Sequence, residues 1–258
     1  MIGAVVIAGG NPQARDPLLE YTGVQKKALI PIAGKPMVHH VVEALAGCRA
    51  IRRIAVVGWQ PPENTSFAVP VDYVADQGQM LENALAGLER LLAVEPQIEQ
   101  IVFSAADIPL ITAEIVSWFI ETCLGMEAEV FYSIVERSVM ERRFPGSGRS
   151  FRTIRDGSFA GGDLYLISRK ALTANLSFVR EIMSSRKSVW GLVRLLGFMT
   201  LIRFATRRLT LAQVEQRASQ ILGYPGRAVI APYAELAMDV DKPHQLDIVR
   251  AELQRAGM

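Results

Sequence analysis

Hydrophobic and polar positions along the chain follow two alternating periods. Residues 2–7, 51–57 and 101–105 are short, β-branched-rich apolar runs that read as buried strands. Between them, apolar residues recur at helical spacing. Met37, Val38, Val41, Val42 and Leu45 share one face after Pro36, and Leu81, Leu85, Leu88 and Leu92 mark a second helix. Ile115, Val116, Phe119, Ile120 and Cys123 mark a third behind a Thr112 cap, which makes Cys123 a core residue. Strands that alternate with crossover helices predict an α/β fold: a three-layer Rossmann-like, mostly parallel mixed sheet with helices on both faces.

The stretch 140–210 is less regular. Residues 130–135 before it read as a strand, but 142–150 contain Pro145, Gly146 and Gly148 and read as a mobile loop bordering the site. Residues 151–154 and 164–167 flank Asp156-Gly157 and Gly161-Gly162, the pattern of a hairpin or sheet extension interrupted by turns. Helical spacing then returns. Thr210 and Gln213 have capping-box spacing, and Pro243 leads a last helix with Leu246, Ile248, Val249 and Leu253.

Residues 188–206 form the most apolar segment, yet Arg194 falls near its middle and the uninterrupted apolar runs are well short of about 18 residues. A charge at mid-bilayer is costly, so the segment reads as a helix that is buried or covered by a partner, or as an apolar wall for a hydrophobic acceptor. Half of the residues are hydrophobic and 21% are charged, which supplies a core and argues against disorder. A length of 258 residues suits one domain, 1–258, with 140–210 as its less regular region. The net charge of +2 is spread along the chain, so no nucleic-acid groove or polybasic anchor is expected, and an anionic ligand must be held locally. Cys48 and Cys123 lack metal-like spacing, and the opening residues lack the basic head of a signal peptide; a reducing cytoplasm fits. His39 and His40 are adjacent on a helix and diverge, which suits surface or capping roles better than a shared metal.

The loop after the first strand, Ala8-Gly9-Gly10, contains neither G-x-G-x-x-G nor G-x-x-x-x-G-K-[ST], which disfavours a dinucleotide oxidoreductase or a P-loop enzyme. Its glycines would still let backbone amides approach a phosphate, and Lys26 and Lys27 could neutralise its charge. Asp107 directly follows the strand 101–105, at the edge that opens into the ligand crevice of an open α/β sheet. With Asp241 it would make a carboxylate pair suited to a hard cation. Each feature also has a purely structural reading: Gly9-Gly10 as an ordinary turn, Asp107 as a turn residue, Asp241 as a helix-start charge.

Taken together, Val6-Ile7-Ala8-Gly9-Gly10, Lys27-Ala28-Leu29, Gly34-Lys35-Pro36, Ala106-Asp107-Ile108-Pro109 and Asp239-Val240-Asp241-Lys242-Pro243 resemble, in that order, the MobA-like nucleotidyltransferases of GT-A-like fold. The resemblance implies that Ala8, Gly9, Gly10 and Lys27 hold a triphosphate and that Asp107 binds a metal. Asp241 would be the second ligand, with Asp239 as the alternative. It further implies base contacts from Gly78 and Asn83 and an acceptor-side loop at Gly161-Gly162-Asp163. The stretch between Gly10 and Lys27 is longer than the family's compact loop, and Arg15 is the candidate equivalent of its arginine. The implied reaction joins a nucleoside monophosphate from a nucleoside triphosphate to a small, phosphorylated acceptor and releases pyrophosphate, with Mg²⁺, or alternatively Mn²⁺, as cofactor. Two rivals remain open: a GT-A glycosyltransferase using a nucleotide sugar, and a nucleotide-binding protein without turnover.

Overall fold

Every residue of β1 (Ile2–Ile7) except the last is buried, because helices cover both faces of the strand; hence its unbroken apolar run. The computed structural model describes residues 1–10, 17–174 and 198–256. Arg15 and residues 188–197 of the apolar segment lie outside them. After a short antiparallel ribbon of β2 (Pro31–Ile32) and β3 (Lys35–Pro36), β4 (Ile51–Val57) lies on one side of β1, followed by β5 (Val71–Val74), and β1, β4 and β5 are all parallel. On the other side lies β6 (Gln100–Ala105), also parallel. The chain therefore leaves β1 in one direction and returns on its other flank, which opens a crevice at the carboxyl ends of β1 and β6.

Beyond β6 the sheet becomes mixed. β9 (Gly157–Ser168) runs antiparallel between β6 and β7 (Val130–Glu136), and β10 (Gly226–Ala231) closes that edge parallel to β7. β8 (Arg152–Ile154) pairs with the start of β9 across a turn at Arg155-Asp156. The expected fold class is the observed one, but Gly161-Gly162-Asp163 is not a loop. It lies inside β9, where a Cβ on Gly161 would come within 2.1 Å of the Tyr132 hydroxyl and one on Gly162 within 2.3 Å of Ser133 Oγ. These glycines allow β9 to lie close against the side chains of β7.

Alternation along each strand divides the core. Ala4, Val6, Ile54 and Val56 face α2 (Met37–Gly47) and α4 (Ala113–Leu124), whose Val41, Leu45, Phe119 and Cys123 are buried as their spacing predicts. Val5, Ala55 and Ile101 face α3 (Met80–Val94). There the buried stripe is Asn83, Gly87, Leu88 and Leu91 rather than Leu81, Leu85, Leu88 and Leu92. Gly87 explains the rotation: a Cβ there would lie 2.5 Å from Val5 Cγ1, so the helix presents its smallest residue to the sheet and sits close.

The remaining described helices are α1 (Pro17–Thr22), α5 (Arg137–Arg143), α6 (Arg169–Ala174), α7 (Phe198–Ala205), α8 (Leu211–Leu222) and α9 (Pro243–Ala256). α8 starts with the predicted capping box of Thr210 and Gln213. Among the described residues no helix is long and apolar enough to cross a membrane.

Candidate active site

Three backbone devices deliver the site's residues to the crevice. Gly9 and Gly10 follow β1, and Gly9 is pressed between Gly58 on one side and Asp76 on the other; a Cβ on Gly9 would lie 2.3 Å from Asp76 Oδ1. A 3-10 turn, Lys27–Leu29, places Lys27, and it is anchored below by buried Ala28, Ile30 and Ile32. Asp107 follows β6, and its carbonyl accepts a hydrogen bond from Val240 N at 2.9 Å. That one bond draws the Asp239-Val240-Asp241 segment to the end of the central strand.

The result is a charged cluster. Lys27 Nζ donates to Asp107 Oδ2 at 2.6 Å and to Asp241 Oδ1 at 2.5 Å. The expectation placed Lys27 against phosphate; the structure places it first between two carboxylates. Burial opposes the lysine's charge, but Asp107 and Asp241 outweigh burial and hold its pKa above the ordinary value. Arg149 Nη2 ion-pairs with Asp239, and Asp239 and Asp241 are close enough to share a proton. Asp163, from β9, completes the group. Burial and the neighbouring Asp107 and Asp239 push Asp163 up to about 8, and burial and Asp241 push Asp239 up to about 7. Asp241 moves the other way: burial would raise it, but Asp239, Lys27 and Arg149 together leave it below the usual carboxylate range. Asp107 Oδ1 is buried and has no hydrogen-bond partner among the described residues.

Asp241 does not serve the helix that follows it. Gln245 Oε1 accepts from the backbone N–H groups of Asp241 and Lys242 at 2.8 and 2.9 Å, so the start of α9 is capped from within. Segment 142–150, expected to be a mobile loop, is tied down by the same residue: Gln245 Nε2 donates to Ser147 O, and His244 Nε2 is 3.0 Å from that oxygen. This anchoring aims Arg149 at Asp239. Arg149 carries no motif, and only the fold reveals its place.

On the other flank of the crevice, Asp76 receives Gly78 N at 2.9 Å, Asn83 Nδ2 at 3.1 Å and Gly10 N at 3.4 Å. Asn83 Oδ1 accepts from Gln77 N at 2.6 Å. Asn83 is fully buried, which corrects its reading as a base contact: its amide is spent on shaping the loop 76–78. Gly78 has φ +79, a conformation in which glycine is unstrained, and nothing lies within 4 Å of the position of a Cβ. A cavity of about 570 Å³ joins the two flanks, lined by Ala8, Gly9, Gly10, Lys26, Lys27, Asp76, Asp107 and Asp163 among others. Gly161 and Gly162 do not line it. His39, expected in a surface or capping role, packs beside Trp59 and Phe67, and burial together with Lys35 lowers its pKa.

The family model described as the MobA-like NTP transferase domain matches residues 4–187, the span that carries the glycine loop, Lys27, Asp107 and Asp163. The chain belongs to this family. MobA-like NTP transferases therefore supply its fold and its broad class, nucleotidyl transfer. A hypothetical transferase structure from Thermus thermophilus is 34% identical, with a TM-score of 0.80 over 95% of this chain and 100% of that one. The structure of a CMP:2-keto-3-deoxy-manno-octonic acid synthetase complexed with CTP shares the fold at 16% identity, with a TM-score of 0.59 over 99% of both chains. Among curated proteins, the bifunctional protein GlmU of Rhizorhabdus wittichii is 30% identical over 105 residues, which are 40% of this chain and 23% of that protein. The chain thus spans about a quarter of the length of that relative.

The acidic cluster predicts that the stability of this MobA-like protein depends on pH. Asp163 and Asp239 have folded-state pKa values above the unfolded 3.8, so the native state holds protons that the unfolded chain has released. Their stabilisation is complete below about pH 4 and is lost as pH rises through about 7 and 8. His39 works in the opposite sense, but only below 6.5, its unfolded value. Between pH 6.5 and 8.5 the melting temperature of the metal-free protein should therefore fall, by about 3 °C or more. The same scan on Asp163→Asn should be flatter; a wild-type melting temperature that rises over this range would contradict the proton inventory.

Proposed function

We propose that the chain transfers a nucleoside monophosphate from a nucleoside triphosphate to a small, phosphorylated acceptor. The observation that carries this reading is the Lys27 ammonium held between Asp107 and Asp241, with Lys27 and Asp107 lining the same cavity as the Ala8-Gly9-Gly10 loop. The loop amides and Lys26 would face the triphosphate. The acceptor oxygen attacks the α-phosphorus in line, a new P–O bond forms, the bond to the β-phosphate breaks and pyrophosphate leaves. An anionic phosphate acceptor needs no general base.

The donor set fits a divalent cation. Among the described residues Asp107 Oδ1 is buried without a hydrogen-bond partner, and the cations that act on the four carboxylates of Asp107, Asp163, Asp239 and Asp241 are Lys27 and Arg149. Among the described residues no three acidic, His or Cys groups are arranged as a complete metal cage. That suits Mg²⁺, which usually takes one or two carboxylates and completes its shell with substrate phosphates and water. Asp107 and Asp241 would hold it, and Asp241 is preferred over Asp239 because it stays ionised while Asp239 is occupied by Arg149. When bound, the ion would neutralise charge on the phosphates and on the departing pyrophosphate. Gly78 and Asp163 would lie on the base side and the acceptor side.

One domain, 1–258, accounts for this arrangement, since Asp107 and Asp241 meet through the Val240–Asp107 backbone bond. Cys48 and Cys123 are free and buried, which agrees with a reducing cytoplasm. Pyrophosphate release, measured with Mg²⁺ across the four common triphosphates and a set of phosphorylated acceptors, tests the reading. Release that requires both substrates is expected; binding and cleavage of a nucleotide sugar in their place would reassign the protein to glycosyl transfer.

A further inference from the structure

The apolar segment 188–206 has no task in nucleotidyl transfer, and its described end is α7. Met199, Ile202 and Phe204 on this helix are 59%, 39% and 40% exposed. Met199, Ile202 and Arg203 adjoin on one face, at spacings of three and four, and Phe204 projects from another, so the helix stands proud of the domain. Among the described residues no other element packs extensively along it. Its far end is moored: Leu209 is buried with Ile134, Ile154 and Phe159, and Leu209 O accepts from Arg155 N at 2.8 Å.

Four arginines gather at that mooring. Arg203 O accepts from Arg208 N at 2.7 Å and from Leu209 N at 3.0 Å, which folds Arg207 and Arg208 back against the end of the helix, and the bond to Leu209 O brings Arg155 beside them. All four are exposed and, among the described residues, none has a carboxylate partner. The carboxylate next to Arg155, that of Asp156, accepts from Leu211 N at 2.8 Å at the start of α8. In the sequence no Asp or Glu falls between Glu181 and Glu215. Arg207 has φ +55, a conformation that glycine takes without strain, yet the position holds an arginine.

Exposed apolar side chains beside unpaired arginines complement a surface with hydrocarbon beneath a layer of negative charge. A second copy of the same patch would bring like charges together, which disfavours self-association. We propose that α7, with Arg155, Arg203, Arg207 and Arg208, docks the protein on an anionic lipid bilayer. Met199, Ile202 and Phe204 enter the headgroup layer, and the guanidinium groups rest on lipid phosphates while their stems lie along the apolar side chains. The helix lies in the surface and does not span it, since no described helix is long and apolar enough to cross. This contact goes beyond nucleotidyl transfer and does not depend on it.

The full chain is sedimented with vesicles of phosphatidylcholine alone and with vesicles of equal parts phosphatidylcholine and phosphatidylglycerol. The wild type should bind the anionic vesicles at least tenfold more tightly, and should lose most of that preference at about 1 M salt, where charges are screened within about 3 Å. Each arginine near such a surface should strengthen binding about fivefold, so Arg203→Gln, Arg207→Gln and Arg208→Gln together should weaken it by about a hundredfold. Ile202→Ser with Phe204→Ser should weaken it by about tenfold or more. All of these side chains are exposed, so both variants should melt within about 3 °C of the wild type. Arg207→Gly, a residue suited to that backbone, should hold the same melting range and still bind about fivefold more weakly. Equal binding of the two kinds of vesicle, or anionic binding that survives the three arginine substitutions, would overturn the proposal. A concentration-dependent dimer abolished by Ile202→Ser with Phe204→Ser, in a protein that ignores vesicles, would also overturn it and give the patch to a second copy.

Discussion

Asp107→Asn should lose turnover by about a thousandfold while the metal-free protein melts within about 3 °C of the wild type. The side chain keeps its shape and loses its charge, and the buried Oδ1 of that carboxylate has no hydrogen-bond partner among the described residues. Stability should barely suffer because Asp107 is surrounded by like charges: Asp163 and Asp239 are both pushed up by it, so neutralising it relieves repulsion as it weakens the tie to Lys27. Asp241→Asn should behave alike, since Gln245 rather than Asp241 caps the helix that follows. If both residues serve one cation, the double variant should cost far less than the product of the single losses. Wild-type pyrophosphate release by Asp107→Asn would refute the site. A melting temperature lowered by 10 °C or more in either variant would instead reveal a structural carboxylate.

Lys27→Met should do both kinds of damage. Removing the ammonium leaves Asp107 and Asp241 facing each other beside Asp163 and Asp239, with Arg149 the counter-charge that remains. A fully buried pair broken in this way would cost about 3–5 kcal/mol. Asp241 is 55% exposed at its side chain and water screens it, so about 1–3 kcal/mol is the expected loss at pH 8. The loss should shrink toward pH 5, where Asp163 and Asp239 are protonated, and on addition of Mg²⁺ at pH 8, because each restores the balance of charge. Turnover should fall by about a hundredfold or more, since the lysine would otherwise steady charge on the phosphates. Chemical denaturation at the two pH values, with and without Mg²⁺, measures the first effect. A destabilisation independent of both would mean that Lys27 acts through packing alone.

Elements whose evidence is local were legible in the residues. β1, α2, α4 and the capping box of α8 follow from apolar period and cap chemistry over a few neighbouring positions. On α3 the buried stripe departs from the leucine spacing because Gly87 joins Leu88 and Leu91 against the sheet, and closeness of approach is a property of two elements together. Asn83 showed the same limit: an amide near a suspected ligand loop is chemically able to meet a base, and only burial shows that it holds Asp76 and Gln77 instead. The segment around Arg149 has the glycines of a mobile loop, and its anchoring depends on His244 and Gln245, nearly a hundred positions away.

The order of the motifs, the α/β class and the identity of the chemically active groups, a glycine loop, Lys27, Asp107 and the Asp239-Val240-Asp241 pair, are readable from the residues alone. Composition and periodicity act over a few residues and need no knowledge of the partner surface. The tertiary structure decided which of these groups meet, that Lys27 sits between Asp107 and Asp241, that Asp163 and Arg149 join them, and that Tyr165 opens beside them. Those facts follow from strand order and from one long-range backbone bond, Val240 N to Asp107 O. Charge coupling depends on distance in space, and the distances were set only when β9 inserted antiparallel beside β6 and brought its alternating Asp163 and Tyr165 to the crevice.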